Sequence, residues 1–197
     1  MFRVNEIFYS LQGEGRNTGR AAVFIRFAGC NLHCPFCDTE FDRYTEMSGQ
    51  EIVDAALAYP SRFVVLTGGE PTLQADEAFV DLLHRHGCEV AMESNGTRPA
   101  PTNIDWLTVS PKGSFSRTWD AGCGERMPDE IKIVFEEDTP DRLSSFKQPP
   151  STLLFLQPCD TGDKERNDRI LHLCIDYIKE HPEWRLSLQT HKLTGIQ

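Results

Sequence analysis

Short apolar runs separated by stretches of helical spacing organise this chain from end to end. Residues 3–8 alternate apolar and polar side chains, and residues 22–27 are nearly continuous in apolar character, so both predict strands. Between them lies a glycine-rich turn, Gln12-Gly13-Glu14-Gly15. Ser48 and Glu51 precede a run of apolar positions at helical spacing, which predicts a capping box and a helix start. Further strands are predicted over 62–67, 88–93, 105–110, 130–135, 152–157 and 184–189, and helices over 74–86 and 166–180. Buried strands separated by helices or long connections imply an α/β fold with a mostly parallel sheet and right-handed crossovers. Residues 110–129 show no clear period and predict no element.

Composition narrows the picture. A chain of 197 residues supports one substantial core, so one domain over 1–197 is expected. With 39% hydrophobic and 25% charged residues it reads as globular, and no segment is apolar over a bilayer's thickness. The first residues lack an apolar export segment, so a cytoplasmic protein with no membrane partner is expected. Twenty Lys and Arg stand against thirty Asp and Glu, a formal charge of −10, which disfavours nucleic acid and favours a small-molecule substrate. The seven cysteines are odd in number and three crowd together, which fits a reducing compartment better than a disulfide framework.

Those three are Cys30, Cys34 and Cys37, directly after the strand at 22–27. The C-terminal end of a parallel strand is where α/β folds place chemistry. Thiolates at this spacing suit a soft metal centre. One solution is zinc, with His33 or a distant cysteine as fourth ligand. The other is a four-iron cube with one iron left open, which S-adenosylmethionine (SAM) can chelate through its amino and carboxylate groups. Phe36 is placed to pack against an adenine. The predicted positions of Cys88 and Cys174 suit small buried hydrophobes, and no metal role is expected for them or for Cys123 and Cys159.

The spacing C-x3-C-x2-C, with an aromatic before the third cysteine, resembles the cluster motif of the radical SAM superfamily. Thr67-Gly68-Gly69-Glu70-Pro71, after the next buried strand, resembles that superfamily's GGE motif, whose backbone and carboxylate meet the SAM amino group. Alone, such a glycine pair is an ordinary strand-to-helix turn. The two motifs in this order are far more specific than either. The resemblance implies a [4Fe–4S] cluster, SAM, and a partial, abbreviated TIM-like barrel. It also implies SAM contacts at Phe36, Asp38, Gly68, Gly69 and Glu70, and at the later strand ends through Ser94, Ser110, Lys112, Gln157 and Asp160.

Four further segments narrow the family: Leu11-Gln12-Gly13-Glu14-Gly15, Phe24-Ile25-Arg26, Cys37-Asp38-Thr39 and Gln189-Thr190-His191-Lys192. Together, over nearly the whole chain, they resemble the 7-carboxy-7-deazaguanine synthase family. That family converts 6-carboxy-5,6,7,8-tetrahydropterin to 7-carboxy-7-deazaguanine with loss of ammonia, a ring contraction on the route to queuosine and other 7-deazapurines. The resemblance implies that Thr39 coordinates Mg2+, which magnesium's taste for oxygen ligands permits. It implies substrate contacts at Leu11, Gln12, Gly13, Glu14, Arg26, Thr67, His191 and Gln197. The Gln12 amide and Glu14 carboxylate complement a pterin's pyrimidine edge, and Arg26 suits its carboxylate. Unaided, the loop reads as a hairpin turn, Arg26 as a structural ion pair, and the last residues as a solvated segment.

The expected partners are the pterin, an electron donor such as flavodoxin or ferredoxin, and a second copy in a homodimer. No residue stands out as a general acid or base, so no catalytic residue is assigned beyond cluster and SAM. Two rivals stay in view. A glycyl-radical activase shares the cluster chemistry but needs neither the Gln12–Glu14 loop nor Thr39, and a zinc module needs none of the radical machinery.

Overall fold

The structure is a computed structural model that describes residues 1–35, 37, 43–112, 126–144 and 146–197. Its strands are β1 (Phe2–Leu11), β2 (Ala21–Phe27), β3 (Thr45–Met47), β4 (Phe63–Gly68), β5 (Glu89–Ser94), β6 (Trp106–Val109), β7 (Glu130–Phe135), β8 (Leu153–Pro158) and β9 (Trp184–Leu186). All join one sheet in the order β3-β1-β2-β4-β5-β6-β7-β8-β9. From β2 through β4 to β9 every pairing is parallel, and β1 runs antiparallel to β2 and β3. This is the mostly parallel α/β sheet expected, open at β3 and β9 among the described residues. Helices are α1 (Gly49–Leu57), α2 (Glu77–Arg85), α3 (Thr139–Leu143), α4 (Lys164–Glu180) and α5 (Thr190–Thr194).

Local chemistry sets the boundaries. The Ser48 hydroxyl accepts from the Glu51 N–H, and the Glu51 carboxylate accepts from the Ser48 N–H, which completes the capping box of α1. The helix expected from residue 74 begins later, because residues Pro71–Leu73 form a 3-10 turn and Asp76 caps α2 by accepting from Phe79 N–H. The helix expected from 166 begins earlier, because Asp163 accepts from Arg166 N–H. The strand expected over 184–189 stops at Leu186, and α5 follows after three intervening residues. Residues 113–125, most of the segment without a predicted element, lie outside the described residues.

Period-two alternation divides the sheet into two faces. Val23, Ile25 and Phe27 of β2, Val64 and Leu66 of β4, and Val90 and Met92 of β5 point outward and pack under α1 and α2. Ile131, Ile133 and Phe135 of β7 and Leu154 and Leu156 of β8 do the same under α4, against Ile170 and Cys174. Full burial of each such side chain contributes about 1.5–3 kcal/mol. The other face carries Phe8, Ala22, Phe24, Phe63, Val65 and Ala91 in a smaller cluster. Next to it stand Arg26, Glu93, Lys132 and Gln157, and these polar groups mark the site.

Candidate functional site

A cavity of about 320 Å³ lies on that inner face, and its wall draws on β1, β2, β4, β5, β7 and β8. At the C-terminal ends of the parallel strands it is bounded by Cys30, Cys34 and Cys37, by Gly68 and Gly69, and by Ser94, Asn95, Ser110 and Lys112. Gly68 has φ +129, a backbone state open chiefly to glycine. Gly69 and Glu70 donate their N–H groups to the carbonyls of Phe27 and Gly29, at 3.1 and 2.9 Å, which joins the GGE turn to the start of the cysteine loop. Burial pushes the Cys34 thiol up, opposed by the charge of Lys112 and helped by Cys37 and Cys30.

The donor set fits a four-iron cluster. Cys30, Cys34 and Cys37 bring three soft thiol donors from one loop to this end of the cavity. A cube asks each thiolate to bind a different iron, whereas zinc draws its ligands to one point. His33, the alternative fourth ligand, is exposed.

Glu70, expected to meet SAM, is fully buried, and its carboxylate is hydrogen-bonded within the protein. Its Oε1 accepts from the Thr72 N–H and hydroxyl and from the Ser94 hydroxyl, and its Oε2 accepts from the Asn95 N–H. Asn95 Nδ2 donates to Asn31 Oδ1, inside the cysteine loop, at 2.9 Å. Glu70 therefore ties β4 and β5 together beneath the cysteines.

The opposite end is closed by the Gln12–Gly15 loop and the C-terminal segment. β1 ends beside the start of β2, so this loop lies where the parallel strands begin. Thr190 N–H and hydroxyl donate to Gly13 O at 3.0 Å, and a β-carbon on Gly13 would come within 2.3 Å of His191 Nδ1. Gly15 N–H donates to Ser187 Oγ, which donates to Gln157 Oε1, each at 2.9 Å. Ser10 Oγ donates to Gln197 O, and Gln197 Nε2 donates to Glu6 Oε2. Residues 187–197 thus lead from β9 across to β1, and the segment read as solvated is part of the wall.

Within that enclosure stands a buried charge network. Lys132 Nζ donates to Glu14 Oε2 at 2.6 Å and to Glu93 Oε2 at 2.9 Å. Burial would raise the Glu14 carboxyl, but the charge and hydrogen bond of Lys132 and a bond from Gln189 hold it at about 2. Glu93 is raised by burial despite the same ammonium. Glu130 accepts from Arg16 N–H at 3.0 Å and is pushed up to about 7 by burial and by the charge of Glu93.

Of the residues expected in the site, Leu11, Gln12, Glu14, Arg26, Thr67, His191 and Gln197 line the cavity, as do Gln157 and Asp160. Gln12 is less available than expected: its Nε2 donates to Glu93 and its Oε1 accepts from Glu14 N–H. Gly13 stands behind His191 rather than in the wall. Arg26 lines the cavity and also forms the ion pair weighed against that role, its Nε donating to Glu6 Oε1 at 2.8 Å. Phe36, Asp38 and Thr39 lie outside the described residues. Lys132 and Glu93 are site residues that the pattern did not single out, and Lys132 is the more informative. Its signal is a charged residue two positions after Glu130 in an otherwise apolar strand.

Residues 24–135 match the model of the radical SAM superfamily. A 7-carboxy-7-deazaguanine synthase from Bacteroides thetaiotaomicron is 47% identical over 197 residues, covering 100% of both chains. One from Nitratidesulfovibrio vulgaris is 43% identical, covering 99% of each. The crystal structure of QueE from Escherichia coli superposes with a TM-score of 0.76 at 30% identity, covering 95% of this chain and 93% of that one.

Proposed function

The chain belongs to the radical SAM superfamily and, within it, to the 7-carboxy-7-deazaguanine synthase family, and on that premise we propose that it converts 6-carboxy-5,6,7,8-tetrahydropterin to 7-carboxy-7-deazaguanine with release of ammonia. The observation that carries this reading is one cavity whose wall holds three thiols, a carboxylate pair, Glu14 and Glu93, and Arg26. The cofactors are a [4Fe–4S] cluster, SAM and Mg2+. When bound, the cluster supplies the electron that cleaves SAM and opens the radical chemistry.

The rest falls to the chain's own residues. Cys30, Cys34 and Cys37 hold the cluster, and Gly68, Gly69, Ser94, Ser110, Lys112, Gln157 and Asp160 bind SAM, with Phe36 and Asp38 assigned there by family likeness. Glu14 and Glu93 accept from the N–H edge of the pterin's pyrimidine ring. Arg26 and His191 meet its carboxylate side, with Gln197 and Thr67 beside them and Thr39 as the Mg2+ ligand. Phe8 and Phe24, stacked at 4.8 Å between ring centroids and both in the wall, offer an apolar surface to the ring. Positioning and the exclusion of competing hydrogen donors are the protein's share of such a reaction.

No described helix is long and apolar enough to cross a membrane. The proposal includes a cytoplasmic enzyme of one domain, reduced by a flavodoxin or ferredoxin and working as a homodimer, in keeping with the exposed apolar side chains Tyr9, Leu11, Leu193 and Ile196 near the junction of β1 and the C-terminal segment. The test is anaerobic turnover with reduced cluster, SAM, Mg2+ and the pterin. Formation of 7-carboxy-7-deazaguanine is expected. SAM cleavage without pterin conversion would point to an activase, and a colourless protein with one zinc would overturn the reading.

A further inference from the structure

Lys132 stands mid-strand in β7 with its side chain only 6% exposed, on the face that looks into the cavity. An ammonium so enclosed is costly unless it is fully paired. Here it is paired twice, to Glu14 from the first loop and to Glu93 from β5. Both carboxylates are also fixed from behind. Gln12 Nε2 donates to Glu93 Oε1 at 3.2 Å, and Gln189 Nε2 donates to Glu14 Oε1 at 3.1 Å. Each carboxylate oxygen thus spends one acceptor position on the protein and keeps further capacity towards the cavity that both groups line.

The other charged groups facing this cluster are Glu130 from the same strand, Lys112 beyond β6 and His191 from α5. Three carboxylates thus crowd around the ammonium. Glu14 is held low by Lys132 in spite of burial, while Glu93 is raised, because burial there outweighs the same ammonium. The wall presents one firmly charged acceptor beside one that takes up a proton more readily.

We infer that Lys132 is a positioning residue of the reaction, whose ammonium holds the Glu14 and Glu93 carboxylates side by side as acceptors for the donor edge of the pterin's pyrimidine ring. This deepens the proposed function and rests on it. Lys132 meets the substrate only through the two carboxylates. Its removal takes away the principal opposition to burial and mutual repulsion at these two carboxyls, and both then hold protons to higher pH.

The experiment compares wild type, Lys132→Met and Lys132→Arg as whole reconstituted enzyme, under anaerobic conditions with SAM, Mg2+ and the pterin, across pH. For Lys132→Met, iron content and SAM affinity within about twofold of wild type are expected, with KM for the pterin raised about tenfold or more. The acidic limb of kcat/KM is expected to move to higher pH, and Lys132→Arg to move it back. Should Lys132→Met fail to fold, Glu93→Gln serves, since it leaves the Lys132 pair with Glu14 intact; the same rise in KM is expected. A lower Tm with wild-type KM and an unmoved acidic limb in the folded variant would overturn the inference. Wild-type enzyme that does not turn over the pterin would instead overturn the function on which it rests.

Discussion

Gly69 lies so close to Gly29 that a β-carbon on it would sit 2.0 Å from the Gly29 carbonyl oxygen and 2.9 Å from the Cys30 nitrogen. Both obstacles are backbone, so no side-chain rotation relieves them. Gly69→Ala is therefore expected to push the cysteine loop away from the GGE turn while the outward-facing core under α1 and α2 stays packed. Iron and sulfide content after anaerobic reconstitution, with the broad absorbance near 400 nm typical of such clusters, should fall well below wild type. Far-ultraviolet circular dichroism should stay unchanged. Full cluster loading in the variant would refute the coupling.

Glu70 offers a contrasting case, because its carboxylate is spent inside the protein. It accepts four hydrogen bonds, two from Thr72 and one each from Ser94 and Asn95. Glu70→Gln turns one acceptor into a donor that faces donors, which costs about 1–3 kcal/mol. The prediction is a Tm lowered by several degrees together with weaker SAM binding by calorimetry, because Ser94 and Asn95 lose their common anchor. Weaker SAM binding at an unchanged Tm would restore Glu70 to the direct contact expected from its motif.

Glu70 and Lys132 also show where pattern reading succeeds and where it stops. The strands of the parallel sheet were legible because their outward side chains, such as Ile131, Ile133 and Phe135, alternate under helices. Thr45–Met47 and Thr190–Thr194 were not, since three and five residues are too few to establish a period. The cysteines, the glycine pair and Arg26 were legible as motif residues. Lys132 was not, because Glu-Ile-Lys-Ile is also the pattern of a strand with one wet face. Only the enclosure of that face by the Gln12–Gly15 loop and residues 187–197 turns it into an interior, and no local signal encodes such a closure.

Glu130 gives a prediction whose sign follows from its surroundings. Its carboxyl is raised from 4.5 to about 7, so the folded state binds the proton more tightly than the unfolded one. Stability is then lost as pH rises from about 4.5 to 7, and the cost stays constant above that, up to about 3 kcal/mol. Glu130→Gln can still accept from the Arg16 N–H and carries no charge. The variant should be more stable than wild type in urea at pH 8, with the difference gone near pH 4.5. A variant less stable at both pH values would show that the backbone contact matters more than the charge.

Two further cations of the wall, Arg26 and Lys112, should divide the ligands between them. Arg26 faces the cavity from β2 beside Thr67, its register partner on β4, with its Nε–H committed to Glu6. Lys112 follows β6, donates to Ser110 Oγ at 2.7 Å, and carries charge of the sign to meet the SAM carboxylate. Burial, then the charge of Lys132, pulls the Lys112 ammonium below the ordinary lysine range. Arg26→Gln should therefore raise KM for the pterin about tenfold or more, the scale of a lost charge-assisted pair, and leave the Kd for SAM unchanged. Lys112→Gln should do the reverse. Because anion binding needs the charged lysine, SAM affinity in the wild type should also decline with rising pH earlier than an ordinary lysine would dictate, and Lys112→Gln should abolish that decline. Calorimetry with SAM alone and steady-state kinetics in the pterin separate the two; equal losses of both ligands in either variant would mean that the cations serve one shared subsite.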